Sequence, residues 1–282
     1  MANARNTIKK IGGSKRGSTR RSSSRRRSSS VMPRWKYITI AVLITIGVIL
    51  LAYPFIRQAF NRFAPCKGEN LYSACIPKGY SVYGIDISHH QGDINWSRLR
   101  RGNPGDPPIR FVYIKATEGC SHKDAKFNKN WKAAKKHGFI RGAYHFFSAE
   151  SPGEEQAKRF IKNVKLEPGD LPPVVDVEQD KKNNVASYRK NLAAFINAIE
   201  KHYGVKPIIY TYKDFHEKYI DSRFNGYPLW IARYNAPHPE INNEWIMWQC
   251  SENGVLPGIK GRVDINVFNG TMEELEKLRI KR

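Results

Sequence analysis

Eight short apolar runs, each four to six residues long, recur between Val82 and Phe268 and are rich in β-branched and aromatic side chains. Runs of this length and composition are typical of buried strands. Segments with helical spacing, at residues 127–137, 153–164 and 185–203, lie between several of them. Because strands that alternate with helices build parallel sheets, the pattern predicts an α/β fold. The runs occupy residues 82–87, 111–116, 141–146, 174–177, 208–212, 229–233, 245–249 and 263–268.

The last three predicted strands are connected differently from the first five. Residues 235–239 and 253–261 are rich in Pro, Gly and Asn and lack the periodicity of a crossover helix. The sequence therefore predicts a modified TIM-like β/α barrel with five βα units and three closing strands. An open doubly wound sheet is the alternative architecture, but no glycine-rich phosphate loop supports it.

An uncharged, mostly aliphatic run at residues 37–56 precedes the predicted barrel. About 20 such residues span a bilayer, so we expect a single transmembrane helix at residues 35–56, in contact with membrane lipid. Twelve Lys or Arg residues lie between Met1 and Lys36, and the first acidic residue is Glu69. The positive-inside rule then predicts a cytoplasmic N-terminus and an exported barrel, periplasmic or extracellular. A cleaved signal peptide is the competing interpretation, although its apolar core is normally only ~7–15 residues long.

Composition divides the rest of the chain into three segments. Residues 1–34 are rich in Ser, Arg and Lys and predict a disordered basic tail; residues 57–78 predict a polar spacer, and residues 79–282 the barrel. The formal net charge of +23 raises the possibility of nucleic-acid binding through the tail. With a predicted span directly behind the basic block, membrane topology explains the charge better, and no nucleic-acid partner is expected.

Four cysteines lie on the predicted exported side, where disulfides persist. Cys66 and Cys75 bracket a short polar loop and could pair, and Cys120 could pair with Cys250. Four cysteines allow three pairings, and the sequence does not choose between them. No CxxC or His-x-x-x-His spacing accompanies them, so no zinc site is predicted.

Two carboxylates end the fourth apolar run, at Asp176 and Glu178. Residues two apart on a strand face the same side, and active sites of β/α barrels lie at the carboxyl ends of the strands. Mutual repulsion and burial raise the pKa of one of two such neighbours, which produces a general acid. Asp86 ends the first strand and Asp264 lies in the last, so closure of a barrel predicts four carboxylates on one rim. A helix cap or a surface ion pair is the alternative role for any one of them.

Aromatic and polar residues in the predicted strands are candidates for substrate binding, because sugar rings stack on aromatic faces while their hydroxyls bond to polar groups. Core packing is the alternative role for some of them. His89 and His90 point opposite ways on an extended chain, so no metal site is predicted. The substrate-binding candidates are Tyr144, Tyr210, Trp230, Trp248, Gln249 and His145.

Ordered motifs across residues 80–275 resemble the glycoside hydrolase family 25 lysozymes, the Chalaropsis-type N-acetylmuramidases. The motifs are GIDISHHQG at 84–92, FVYIKATEG at 111–119, GAYHF at 142–146, VDVE at 175–178, WQ at 248–249 and VDIN at 263–266. The resemblance implies a β/α barrel that cleaves the β-1,4 bond between N-acetylmuramic acid and N-acetylglucosamine in peptidoglycan, without a cofactor. It also implies that Glu178 is the proton donor, Asp176 its partner carboxylate, and Asp86 and Asp264 the remaining active-site acids.

The leading hypothesis is therefore a membrane-anchored, monomeric muramidase whose partner is the glycan strand of peptidoglycan. A glycan-binding protein that retains the barrel without turnover is the alternative. The distance between the two catalytic carboxyl groups decides the course of the reaction. A distance of ~5–5.5 Å lets one carboxylate act as a nucleophile, whereas ~6.5–9.5 Å leaves room for an attacking water molecule. The sequence does not give this distance.

Overall fold

The computed structural model describes residues 33–63, 68–179 and 184–281, which belong to two compact units, Met1–Ala64 and Pro65–Arg282. The first unit contains helix α1, Arg34–Phe63. Its stretch Arg34–Pro54 is 21 residues long with a mean hydropathy of 2.2, which is long and apolar enough to cross a membrane. Within it the hydroxyls of Thr39 and Thr45 donate to the carbonyls of Trp35 and Ala41, so neither polar group needs water. Almost all of the predicted basic tail lies outside the described residues.

The second unit is built around an eight-stranded barrel-like sheet, and all eight predicted strands are present. The strands are β3 (Tyr83–Ile87), β4 (Ile109–Glu118), β6 (Ile140–Phe146), β7 (Val174–Asp176), β8 (Ile208–Tyr212), β9 (Leu229–Ala232), β10 (Met247–Gly254) and β11 (Val263–Phe268). The short β5 (His122–Lys123) folds back on β4. The sheet closes because β3 pairs with both β11 and β4, so the open-sheet alternative is wrong.

Helices follow the first five strands of the barrel. The longer ones match the helical spacing of the sequence, whereas three short ones were not predicted. The helices are α2 (Trp96–Arg101), α3 (Phe127–Lys136), α4 (Gly153–Asn163), α5 (Val185–Tyr203), α6 (Lys213–Tyr219) and, after β11, α7 (Met272–Leu278). A sidechain cap from Asn184 starts α5, and Gly204 ends it in the left-handed conformation.

Strand β11 is antiparallel to both of its neighbours, β10 and β3. The sheet is therefore barrel-like but differs from an all-parallel β/α barrel. A turn of only eight residues joins Gly254 to Val263, which is too short for a crossover helix. This antiparallel closure places the first and last strands side by side.

Side chains alternate between the inside of the barrel and the surrounding helices. On β4, Phe111 and Tyr113 pack inside, while Val112 and Ile114 pack against the helices. Glycines make room for the internal rings, since a Cβ on Gly84 would lie 2.2 Å from the ring of Phe111. Neighbouring strands thus fill the interior of the barrel with aromatic rings.

A hairpin lies in the segment that was expected to be a polar spacer. Strands β1 (Glu69–Leu71) and β2 (Ala74–Ile76) pair with each other, and the turn residue Tyr72 is buried. The Tyr72 hydroxyl donates to the carbonyl of Pro107, and its backbone N–H donates to Asp106. The segment predicted as a polar spacer thus contains a hairpin, and a buried tyrosine ties this hairpin to the barrel unit.

The cysteines do not all pair as the sequence allows. Cys75, on β2, is disulfide-bonded, whereas Cys120 and Cys250 are free. Cys120 is exposed in the turn between β4 and β5, while Cys250 is buried on β10, and these strands are not neighbours in the sheet. A disulfide between Cys120 and Cys250 is therefore excluded in this structure, and Cys66 lies outside the described residues.

Candidate active site

A cavity of about 340 Å³ opens at the carboxyl ends of the parallel strands. All four predicted acids line it: Asp86 from β3, Asp176 and Glu178 from β7 and its extension, and Asp264 from β11. Closure of the sheet brings them together, because the register places Asp264 opposite Asp86. Glu252 also lines the cavity, and five carboxylates at one cavity create strong mutual repulsion unless some of them hold protons.

Asp176 and Glu178 lie on the same side of one extended segment. The N–H of Val177 donates to the carbonyl of Tyr210, which keeps the chain extended beyond the end of β7. Asp176 is only 8% exposed, and its Oδ1 has no hydrogen-bond partner among the described residues. An unsatisfied carboxylate oxygen at this depth is costly unless it carries a proton or meets a ligand.

Burial raises the pKa of both carboxyl groups of this pair. For Asp176 the charge of Glu178 is the next cause, and its pKa lies well above the ordinary value. The pKa of Glu178 is also raised, mainly by burial and further by Asp86, while Lys115 opposes the shift. The two groups titrate as a pair that holds a proton beyond the pH at which an isolated carboxyl loses it. Glu178 is the less buried member and is therefore the one that can reach a substrate.

Asp86 is held by a network of amide groups. Its Oδ2 accepts hydrogen bonds from Gln249 Nε2 at 2.9 Å and from Asn266 Nδ2 at 2.7 Å. Asp264 also hydrogen-bonds to Asp86, and burial followed by the charge of Asp86 raises the pKa of Asp264 to about 8. Asp264 is thus a protonated donor at neutral pH.

Two tyrosines and a tryptophan orient these amides. The hydroxyls of Tyr210 and Tyr234 donate to Gln249 Oε1 at 2.8 and 2.5 Å, which directs Nε2 of the same amide to Asp86. The indole N–H of Trp230 donates to Asn266 Oδ1 at 3.0 Å. Neither Asn266 nor Tyr234 is among the site residues predicted from the sequence. The position of Asn266 two residues after Asp264 on β11 was the available signal, because it puts both side chains on one face.

Lys115 was also missed, although it is the one lysine or arginine among the residues that line the cavity. Its Nζ lies 2.8 Å from Glu118 and 4.5 Å from the centre of the Phe146 ring. Its positive charge lowers the pKa of both Asp176 and Glu178, against the effect of burial. Lys115 therefore limits how strongly the acidic pair binds its proton.

The structure brings four of the six predicted substrate-binding residues to the cavity: Tyr144, Tyr210, Trp230 and Gln249. His145 is fully buried on the helix side of β6, where it bonds to Thr117 and Gln156 and stacks on Phe195. Trp248 is fully buried too, with its indole N–H bonded to the carbonyl of Arg233. His145 and Trp248 are each adjacent on their strand to a residue that faces the cavity, so their own side chains face away from it. The prediction that these two residues contact the substrate is therefore corrected.

The adjacent histidines have different surroundings. His90 lines the cavity, whereas the ring of His89 lies 2.8 Å from Asp124. The described residues contain no group of three or more His, Cys, Asp or Glu side chains arranged to hold a metal ion.

The family model for glycosyl hydrolases family 25 matches residues 85–259, which carry three of the four acids. The chain belongs to glycosyl hydrolase family 25. This confirms the resemblance seen in the sequence motifs and identifies the protein as a glycoside hydrolase.

Curated relatives and a solved structure match most of the barrel unit. The protein YegX of Escherichia coli (strain K12) is 38% identical over 218 residues, 77% of this chain and 79% of its own length. Lysozyme M1 of Streptomyces globisporus is 34% identical over 211 residues, 69% of this chain and 70% of its own length. The structure of a family 25 glycosyl hydrolase from Bacillus anthracis superposes with a TM-score of 0.65 at 36% identity, covering 71% of this chain and 94% of the other.

Proposed function

We propose that this protein is a lysozyme that hydrolyses the β-1,4 bond between N-acetylmuramic acid and N-acetylglucosamine in peptidoglycan. The names of its relatives support this substrate, since they include Lysozyme M1 and the N,O-diacetylmuramidase of Chalaropsis sp, which is 30% identical across 99% of its length. One structural observation carries the proposal: the unsatisfied, buried Asp176 lies beside Glu178 in an acid-lined cavity.

Glu178 acts as the general acid in this proposal. Burial holds a proton on the Asp176–Glu178 pair, and the more exposed Glu178 passes it to the glycosidic oxygen as that bond breaks. Asp176 then carries the negative charge that stabilises the oxocarbenium-like transition state, or it orients the acetamido group of the substrate. Both roles can use Asp176 Oδ1, which accepts no hydrogen bond from the part of the chain that the structure describes.

The remaining cavity residues hold the substrate and the second acid pair. Tyr144, Tyr210 and Trp230 present aromatic surface to the sugar rings, while Gln249 keeps Asp86 in place. Asp264, protonated at neutral pH, removes one negative charge from the rim. The rim of the cavity thus holds a proton that Glu178 can donate, and the neutral Asp264 reduces its negative charge.

Turnover is tested by incubating the protein with purified peptidoglycan and measuring new reducing ends on muramic acid. We expect Glu178→Gln to lose at least about 100-fold in rate, because proton transfer contributes this much to catalysis. Glu217→Gln, at an exposed position on α6, is the matched control and should retain full activity. Equal rates in wild type and Glu178→Gln would reject the assignment, and binding without turnover by the wild type would favour the glycan-binding alternative.

We also propose that residues 35–56 anchor the enzyme as a single-pass membrane protein, with residues 1–34 cytoplasmic and the barrel exported as a monomer. The apolar stretch Arg34–Pro54 supports a signal or an anchor, and the basic block before it supports this orientation. Protease added to intact cells or spheroplasts should digest the barrel and leave an N-terminal fragment protected. Release of the whole barrel into the medium, with cleavage after residue 56, would favour a signal peptide.

A further inference from the structure

A second cavity, of about 360 Å³, lies at the amino-terminal ends of the strands, at the opposite end of the barrel from the active site. It is formed where the starts of β4 and β6 meet the ends of α2 and α3 and helix α7. Five cations line it: Arg100, Arg110, Lys135, Arg141 and Arg279. The two carboxylates among its lining residues are Asp170 and Glu276.

Three of these cations are neutralised by neighbours. Arg141 is buried and bonds to Asp170 at 2.7 Å, Lys135 pairs with Glu167, and Arg279 pairs with Glu276. The carboxylates of the cavity are thereby occupied and do not repel an incoming anion strongly. The three ion-paired cations line the cavity but have little free charge to offer an anion.

Arg100 and Arg110 have no such neutralisation. Neither guanidinium has a carboxylate within ion-pair distance among the described residues, and Arg100 lies only over the ring of Phe139, at 5.5 Å. Exposed Arg101 and Lys136 extend the positive charge along the rim, at the ends of α2 and α3. We call these four residues the basic face. Cations at the ends of helices are common because they complement the helix dipole, but Arg110 belongs to a strand, so this effect does not account for it.

We propose that the basic face docks on an anionic phospholipid surface, with lipid phosphates bound between Arg100 and Arg110. Both side chains line the same cavity, and guanidinium groups without carboxylate partners match phosphate oxygens in charge and geometry. The occupant follows from the chain itself, because only 14 residues separate Pro54, the end of the apolar stretch, from Glu69 at the start of β1. Residues 55–63 of this tether belong to α1 and rise ~1.5 Å each, and the five residues that follow span at most ~3.6 Å each. If this stretch is the membrane anchor proposed above, the tether keeps the barrel within about 35 Å of the bilayer and so raises the local lipid concentration.

Docking of the basic face leaves the catalytic cavity open, because the two lie at opposite ends of the strands. The active site would then face away from the lipid, toward a substrate that lies outside the membrane. This inference does not depend on the sugar that the enzyme cleaves. A failure of lipid binding would leave the proposed hydrolysis unaffected.

The barrel unit, residues 65–282, is suitable for the test because it folds independently. Its core clusters contain only residues between Leu71 and Leu278, and the Bacillus anthracis structure consists almost entirely of the matching region. The measurement is cosedimentation with vesicles of phosphatidylcholine alone or with about 30 mol % phosphatidylglycerol, over a range of salt concentrations. We expect binding only to the anionic vesicles, weakening as salt rises.

The decisive variant is Arg100→Gln with Arg110→Gln, which should reduce partitioning onto anionic vesicles about 30-fold. The matched control, Lys190→Gln with Lys260→Gln, removes the same charge from exposed positions outside this cavity and should change partitioning less than twofold. The thermal midpoint and the peptidoglycan turnover of both variants should match the wild type. Equal losses in both double variants, no binding to anionic vesicles by the wild type, or full competition by millimolar inorganic phosphate without any preference for lipid would each overturn the proposal.

Discussion

Asp264 lies directly opposite Asp86 in the antiparallel pairing of β11 with β3, although the two are 178 positions apart along the chain. Asp86 already accepts two amide hydrogen bonds, so Asp264 relieves the remaining repulsion by keeping its proton. Burial and the charge of Asp86 raise the pKa of Asp264 to about 8. The rim is therefore a set of coupled groups whose charge depends on the closure of the barrel.

Replacing Asp264 by Asn should stabilise the protein at neutral pH. The native state holds a proton on Asp264 that the unfolded chain loses near its ordinary pKa, so stability falls as pH rises from about 4 to about 8. Asp264→Asn removes this penalty and should raise the free energy of unfolding at pH 7 by roughly 1–2 kcal/mol. Urea unfolding at pH 5, 7 and 8.5 measures the effect. Parallel pH dependences for the variant and the wild type would contradict it.

Replacing Lys115 by Met should move the pH profile of hydrolysis. The Lys115 charge lowers the pKa of Asp176 and Glu178, so its removal raises both. The alkaline limb of kcat/KM should shift upward by about 1 pH unit, because the acid keeps its proton longer. Lys115→Arg, which preserves the charge, should restore most of the original profile. A uniform loss of rate with an unchanged profile in Lys115→Met would indicate a purely structural role.

Replacing His145 by Gln should reduce the decline in the free energy of unfolding that occurs as the pH falls from 7 to 4. Burial lowers the pKa of His145 to about 4, so the native state resists protonation while the unfolded chain accepts a proton near pH 6.5. This group contributes stability above pH 6.5 that is lost as the pH falls toward 4, by up to about 3 kcal/mol. Chemical unfolding from pH 7 to pH 4 should show a smaller decline for His145→Gln. An identical decline would mean that other groups control acid stability.

Replacing Gly84 by Ala should destabilise the barrel. A Cβ at this position would lie 2.2 Å from the ring of Phe111, which is itself packed inside the barrel and has no room to move. We expect a loss of about 2–3 kcal/mol, measured by the thermal midpoint. Gly226→Ala is the matched control, because its nearest neighbour is the flexible end of Lys206 at 3.3 Å. Similar losses in both variants would show that chain flexibility, and not the contact with Phe111, explains the effect.

Local sequence determined the strands, the longer helices and the acidic pair. Apolar runs indicate strands wherever their side chains are buried, and the spacing of Asp176 and Glu178 puts them on one face of any extended segment. The short helices α2 and α6 carried too few turns for a periodic signal, and the hairpin at β1 and β2 is held by the distant loop around Pro107. Such elements depend on packing with the rest of the fold.

Tertiary structure decided which neighbours on a strand face the substrate. Tyr144 and His145 are adjacent on β6, as are Trp248 and Gln249 on β10, and only one of each pair can point into the barrel. The sequence supplied both candidates, but the choice follows from how the strands pair and close. The same closure brings Gln249 and Asn266 to Asp86 across 163 and 180 residues of chain. Local patterns fix side-chain alternation, whereas the register of distant strands fixes which carboxylates and amides meet.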